Sequence, residues 1–309
     1  ELICFSEEEA HICTVFEKKG ILHKIDMHLR KNKTKGIAID GVPIRKASEL
    51  FGLIHFVFFS PEDLSIIKNG PAERRHFLDS ELCQLDKVYL YQLSNYNKVV
   101  LQRNKLLKEL YLHPDYREVL DVLDMQLVQY GSALIQRRQT FAEELGEIVH
   151  RIHSQLSGGQ EEMELKYEPN VTVDAFAQML FANRERDMRL KTTATGPHRD
   201  DISFVVNGVD IRKFGSQGQQ RTAALSLKLS EIELVKRLIG DTPVLLLDDV
   251  LSELDSGRQN YLLNSIENIQ TLITCTGLDE FVNHRFSINR IYKVTDGSVT
   301  VENKQEADR

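Results

Sequence analysis

The stretch from Phe214 to Asp255, FGSQGQQRTAALSLKLSEIELVKRLIGDTPVLLLDDVLSELD, constrains the fold more than any other part of the chain. It divides into a glycine-rich loop, an amphipathic helix, a buried strand and an acidic turn. The loop, Gly215-Ser216-Gln217-Gly218-Gln219, combines a flexible backbone with polar side chains able to crowd round a phosphate. Ala224, Leu225, Leu227, Leu229, Ile232, Leu234, Val235 and Leu238 then recur at three- and four-residue steps, which predicts a helix with one buried face, stopped by Gly240-Asp241. Val244 to Leu247 is too short for an independent helix and too apolar for an edge, so it reads as a central parallel strand. Asp248 and Asp249 follow at its carboxyl end, where open α/β sheets place their ligands.

The 309 residues, 41% of them hydrophobic, suffice for one large or two modest domains. A formal net charge of -7 excludes a wholly basic nucleic-acid binder but leaves room for a local basic patch. Cys4, Cys13, Cys83 and Cys275 are scattered with no CxxC pair, which argues against a disulfide frame or a zinc site and for a reducing, cytoplasmic setting. No apolar run approaches the roughly 20 residues of a membrane span, so neither a span nor a signal peptide is expected.

The first sixty residues follow period two. Ile12, Thr14 and Phe16 alternate before a Lys18-Lys19-Gly20 turn, and Ile21 to Leu29 and Ile37 to Ile39 continue as hairpin strands. The basic tip Arg30 to Gly36 reads either as a solvated hairpin end or as a phosphate contact. A short helix over Ala47 to Phe51 and a buried strand over His55 to Phe59 come next, and Pro61 ends the strand. From Ala72 the period changes to helical and continues past Leu110, until His113-Pro114-Asp115 breaks it. A second long helix runs from Leu120 to Ile152 and a shorter one from Ala175 to Arg189, the two long ones forming an antiparallel pair. Three parts result: a β-rich core part (1–71), a helical insert (72–189) and a second core part (190–309). Arg74, Arg75, Arg103, Arg137, Arg138, Arg184, Arg186 and Arg189 read as solvated helix faces, with a nucleic-acid groove as the alternative.

Leu156-Ser157-Gly158-Gly159-Gln160 spells the LSGGQ signature of ABC-type ATPases. A signature loop must open a helix whose amides face phosphate, and an acidic strand must soon follow. Here an alternating, strand-like segment ending at Pro169 follows instead, so the match reads as a helix end and turn. The looser match at Ser216 to Gln219 meets both conditions.

Taken together, FSPEDL (Phe59 to Leu64), GPAERRHFLD (Gly70 to Asp79), TGPHRDD (Thr195 to Asp201), SQGQQRT (Ser216 to Thr222) and LLLDDVLSELD (Leu245 to Asp255) resemble the RecF proteins of bacterial recombinational repair, which are ABC/SMC-like ATPases. The resemblance covers essentially the whole chain. It implies an α/β ABC-type ATPase head, a mixed β-sheet core with flanking helices, carrying an inserted domain of long antiparallel helices. It also implies a homodimer formed on ATP that binds double-stranded DNA and single/double-strand junctions and works with RecR, and through it RecO, in recombinase loading. On the matching positions, Asp248 looks like the carboxylate that holds Mg²⁺ and Asp249 like the group that polarises the attacking water. Asp249 stands where ABC enzymes usually have Glu, a departure expected to slow hydrolysis. Ser216, Gln217, Gly218 and Gln219 resemble the loop that meets ATP held by the other subunit. Ser252 to Asp255 resembles the loop that lines the dimer seam, and Thr274 and Thr276 fall where a switch histidine stands in ABC ATPases.

One element of the pattern does not occur in the 309 residues: G-x-x-x-x-G-K-[ST], the loop that cradles phosphates. The family carries it near the amino terminus, and Glu1 opens inside a β pattern, so further residues upstream are expected. This polypeptide alone is expected to bind ATP poorly and not to hydrolyse it. Gly196 to Asp201 reads either as a hinge turn with Arg199 paired to a carboxylate or as a contact near nucleotide or DNA. Other function classes are another SMC-like head, disfavoured by the short helical insert, and an interaction module without turnover. The carboxyl-terminal part reads as a hairpin, Ile291 to Val294 and Val299 to Val301 about Asp296-Gly297, followed by a frayed tail from Glu302.

Overall fold

A computed structural model describes residues 2–109, 117–276 and 289–302. The chain divides into two compact units, each assembled from discontinuous segments. The first holds Glu1–His55, Arg75–Phe141 and Pro169–Asp200; the second holds Phe56–Arg74, Ala142–Glu168 and Asp201–Arg309.

In the first unit, β1 (Glu9–Lys18) and β2 (Ile21–Arg30) form an antiparallel hairpin closed by Lys19-Gly20, both at positive φ (51° and 78°). That two-residue geometry matches the twist of the strands it joins. β3 (Gly36–Ile39) and β4 (Val42–Ile44) complete a sheet of order β1-β2-β3-β4, turning through Asp40-Gly41. The sequence reading missed β4 because Pro43 sits in it; at a sheet edge a proline costs no ladder bond. At the basic tip Arg30 pairs with Glu9 and Lys31 with Glu8, at 3.2 and 3.3 Å. The segment Ala47–Leu50 is a single 3-10 turn rather than an α-helix.

In the second unit, β5 (Phe56–Phe59) leads into the short helix α1 (Leu64–Lys68). The helical run expected from Ala72 divides at Asp86 into α2 (Pro71–Leu85) and α3 (Lys87–Glu109). The Asp86 carboxylate accepts from the amides of Val88 and Tyr89 (2.8 and 3.0 Å), so it caps α3 instead of continuing α2. α4 (Arg117–Leu156) has 40 residues, about 60 Å at helical rise. The expected break at His113-Pro114-Asp115 lies outside the described residues. Side-chain pairs set the sense of α3 against α4: Tyr89 meets Arg138 and Arg103 meets Asp124. Numbers rising in one helix fall in the other, so the pair is antiparallel, as the sequence implied.

α4 ends at Leu156; Ser157 to Gln160 turn back with Gly158 and Gly159 at φ 64° and 77°, and β6 (Met163–Glu168) follows. The LSGGQ spelling is therefore a helix end and turn. The helix expected over Ala175 to Arg189 divides at Asn183 into α5 (Phe176–Ala182) and α6 (Arg184–Leu190). β7 (Asp201–Val206) pairs with β6 and with β8 (Val209–Asp210), and α7 (Ile211–Phe214) leads into α8 (Gln217–Ile239).

β9 (Val244–Asp248), α9 (Ser256–Ser265) and β10 (Thr271–Thr274) follow, and the sheet order is β10-β9-β5 with both pairings parallel. The central position read for Val244 to Leu247 is thus observed. One face of this sheet, Val57, Phe59, Leu245 and Leu247, is buried, while Phe58 and Leu272 on the other are about half exposed. The hairpin β11 (Ile291–Thr295) and β12 (Ser298–Glu302) turns at Asp296-Gly297; the tail beyond Glu302 lies outside the described residues.

Two expectations need correction. α8 does not bury one face: all residues from Thr222 to Ile232 are buried. Several of its polar members meet partners that make burial tolerable: Lys228 pairs with Glu231, the Ser230 hydroxyl donates to the carbonyl one turn back, and the Ser226 hydroxyl lies within reach of both the Thr222 carbonyl and His153 Nδ1, so periodicity alone could not reveal a helix buried all round. Nor are the arginines all solvated: Arg74, Arg103 and Arg138 are at most 2% exposed. Arg103 donates to Asp124 (2.6 Å), Asp187 (2.7 Å) and Thr193 (3.0 Å), binding α3, α4 and α6 together. Arg186 and Arg189 are exposed as expected.

Among the described residues no helix is long and apolar enough to cross a membrane.

Candidate active site

The carboxyl end of β9 builds the centre of the site. Its strand neighbour β10 delivers Thr274 in register with Asp248, and the Thr274 hydroxyl donates to Asp248 Oδ1 at 2.5 Å. Asp248 is exposed, and its Oδ1 is fixed by that contact. Asp249 then leaves the strand at φ 50°, in the left-handed region, while its amide still donates to the Thr274 carbonyl at 3.1 Å. Asp and Asn tolerate this conformation better than longer side chains, so the backbone favours Asp at this position. The Ser252 hydroxyl donates to the Asp249 carbonyl at 2.8 Å and closes the turn.

Asp255 caps α9: its Oδ1 accepts from the Arg258 amide (3.0 Å) and its Oδ2 from the Arg258 guanidinium (2.7 Å). The Arg258 amide, aided by its guanidinium, holds the exposed Asp255 carboxyl below the usual carboxylate range. The same guanidinium reaches Thr222 Oγ1 in α8 at 2.5 Å, and the Thr222 hydroxyl donates to the Gly218 carbonyl at 2.8 Å. Arg258 thus ties the Asp255 turn to the loop at the start of α8. Its side chain, three positions past the acidic turn, escaped sequence reasoning.

That loop is a reciprocal cap. Ser216 Oγ accepts from the Gln219 amide (3.2 Å), and Gln219 Oε1 accepts from the Ser216 amide (2.9 Å). Gln217, Gly218 and Gln219 form the first turn of a helix of 23 residues, where amides and dipole favour an anion. Gly215 is required by space: a Cβ there would lie 2.5 Å from the Ile211 carbonyl. A cavity of about 50 Å³ between Phe59, Asp63, Arg221, Lys228, Val250 and Leu254 is large enough for a water or two and too small for a nucleotide.

Among the described residues no cluster of three or more His, Cys, Asp or Glu converges as a metal cage. One exposed carboxylate at a strand end still suits a hard cation that keeps waters and phosphate oxygens as its other ligands.

In the TGPHRDD segment Thr195, Gly196, Pro197 and Asp200 are buried, His198 and Asp201 are half-buried, and Arg199 is exposed. His198 accepts from the Tyr96 hydroxyl at Nδ1 (2.6 Å) and donates from Nε2 to the Thr193 carbonyl (2.9 Å), and burial lowers its pKa to about 4. Asp200, fully buried, accepts from Arg138 (2.9 Å) and from the Asn170 amide (2.8 Å). In the second unit Asp201 takes a two-point contact from Arg74 at 2.6 and 2.9 Å. Arg199, read as a candidate carboxylate partner, instead approaches the Thr193 carbonyl at 3.4 Å. The paired carboxylates are its neighbours.

No protein-family model matches the chain. It is 61% identical over 301 residues to the DNA replication and repair protein RecF of Agathobacter rectalis, covering 97% of this chain and 83% of that protein. The RecF protein of Lachnospira eligens is 60% identical over 305 residues, at 98% and 84% coverage. Among solved structures, the recombination mediator RecF with ATP superposes with a TM-score of 0.89 at 34% identity, over 97% of this chain and 81% of that one. An Smc head domain from Pyrococcus furiosus, solved with an extended coiled coil bound to the C-terminal domain of ScpA, superposes at 0.50 with 13% identity, over 96% and 77%. That likeness concerns the fold.

Proposed function

The chain belongs to the RecF family of DNA replication and repair proteins, with an ABC/SMC-type head, and from that premise we propose how its residues use ATP. Asp248 offers Mg²⁺ a hard oxygen ligand, and the bound ion would offset phosphate charge. Asp249 accepts a hydrogen bond from the attacking water and orients it. Ser216, Gln217, Gly218 and Gln219 present amides and side chains to ATP held by a second copy, with Asp255 at the seam, so ATP drives a homodimer. That dimer binds double-stranded DNA and single/double-strand junctions and recruits RecR with RecO, in the cytoplasm. The β-rich 1–71, helical 72–189 and carboxyl-terminal 190–309 parts serve respectively as core, lid-like insert and core.

The observation carrying this reading is the strand end where Thr274 fixes Asp248 and the chain turns left-handed at Asp249. Because the 309 residues contain no phosphate-cradle lysine motif, this polypeptide alone is expected not to turn over ATP. The test extends the chain with the amino-terminal residues of the Agathobacter rectalis relative and compares it with its Asp249→Asn variant. Hydrolysis should appear on extension and fall on the substitution by about 10²–10⁴-fold, with ATP-bound dimers accumulating. DNA binding and dimerisation indifferent to ATP and to the substitution would favour a module that recruits partners without turnover.

A further inference from the structure

His153 has no place in the chemistry above, yet it lies wholly buried near the end of α4 with both ring nitrogens in contact. Nδ1 faces Ser226 Oγ at 3.0 Å and Nε2 faces Glu161 Oε2 at 3.1 Å. The other oxygen, Glu161 Oε1, accepts from Gln219 Nε2 at 2.9 Å. Gln219 in turn holds the Ser216 amide through its own Oε1. A chain of hydrogen bonds therefore runs from the middle of α8, through α4 and the turn after it, back to the first residues of α8.

The proton inventory fixes its direction. Glu161 is acceptor-only as a carboxylate, so Nε2 must carry a proton, and burial favours the neutral ring. Nδ1 then accepts the Ser226 hydroxyl proton, which otherwise serves the Thr222 carbonyl at 2.7 Å. Gln219 is partly exposed and, without Glu161, would be free to rotate; its Oε1 must point one way for the cap to form.

We propose that Glu161, oriented by His153, is a positioning residue that presets the Ser216–Gln219 loop by clamping the Gln219 amide. The value of that preset for ATP rests on the reading under Proposed function, but the clamp itself does not.

The test uses this chain and the variants Glu161→Ala, His153→Ala and Glu161→Gln. Glu161→Ala should speed hydrogen exchange at the Ser216 and Gln219 amides about fivefold, the scale of one net hydrogen bond, with exchange in β6 and β7 unchanged. His153→Ala should act in the same direction. Glu161→Gln should restore protection, because its carbonyl can still accept from Gln219 while its NH₂ donates to Nε2. That restoration requires His153 to move its proton to Nδ1 and donate to Ser226, a tautomer change that ¹⁵N NMR of the ring reads directly. A packing role for position 161 would not produce it. Unchanged loop exchange in Glu161→Ala, or a His153 that keeps its Nε2 proton in Glu161→Gln, overturns the proposal. In the extended chain, Glu161→Ala should weaken ATP-driven association about fivefold while leaving ATP binding to the monomer unchanged. If the extended parent shows no ATP-driven association, it is the ATP reading that fails, and the exchange and tautomer results still decide the clamp.

Discussion

Replacing Arg138 by Leu tests whether the buried charge network of the helical region holds its unit together. Arg138 is 2% exposed and donates to the Tyr89 hydroxyl (2.9 Å), the Pro197 carbonyl (2.7 Å), Asp200 (2.9 Å) and Asp79 (2.8 Å). Leucine fills part of the volume but makes none of these bonds. The larger loss comes from Asp200, fully buried, which keeps the Asn170 amide and loses its guanidinium. Removing one partner of a buried ion pair costs about 3–5 kcal/mol, a large fraction of the roughly 5–15 kcal/mol that holds a domain. With a urea slope of about 2 kcal/mol per molar, the midpoint of the first unit's transition should fall by about 2 M at pH 7. Arg138→Leu combined with Asp200→Asn also removes the buried carboxylate that Arg138 compensates and should recover about 2 kcal/mol at pH 7. A single variant within about 1 kcal/mol of the parent, or a double variant worse than the single one, would refute the reasoning.

Three further outcomes follow from particular positions. Gly196 sits at φ 132° and a Cβ there collides with the Tyr96 hydroxyl, so Gly196→Ala should cost about 2–4 kcal/mol in thermal or urea unfolding. His198, its pKa lowered by burial from 6.5 to about 4, stays neutral in the fold while the unfolded chain protonates; its contribution, about 3 kcal/mol, is present above pH 6.5 and lost as pH falls toward 4. His198→Gln should flatten that slope in urea titrations across the window. Asp249→Gly relieves a non-glycine residue at φ 50° and should raise stability by about 1 kcal/mol in calorimetry while removing hydrolysis from the extended chain, the sign expected of a residue kept for chemistry.

Features whose physics is local could be read from the sequence. Lys19-Gly20 and Asp296-Gly297 turn the chain because both residues of each pair must sit at positive φ, and the neighbouring strands follow. Leu245 to Asp249 announced a central strand with acids at its end because an uninterrupted apolar run can survive only between two other strands. Those segments and the SQGQQRT loop were enough to reach the family. Single side chains could also reset boundaries that periodicity missed, as Asp86 does by capping α3.

The tertiary structure decided the fate of the charges. Arg74, Arg103 and Arg138 are indistinguishable from solvated helix residues in sequence, because burial of these charges depends on partners brought from elsewhere in the chain. Arg103 finds Asp187 84 positions away and Arg74 finds Asp201 127 positions away. The same holds for the candidate site. Asp248, Asp249 and the Ser216 loop were named by pattern, but the Thr274 contact, the left-handed turn at Asp249, the Arg258 tie and the Glu161 clamp exist only once strands and helices bring distant segments within hydrogen-bond reach. Sequence named the candidate groups, and the fold determined which of them meet, because periodicity is a property of neighbours and ion pairing is a property of space.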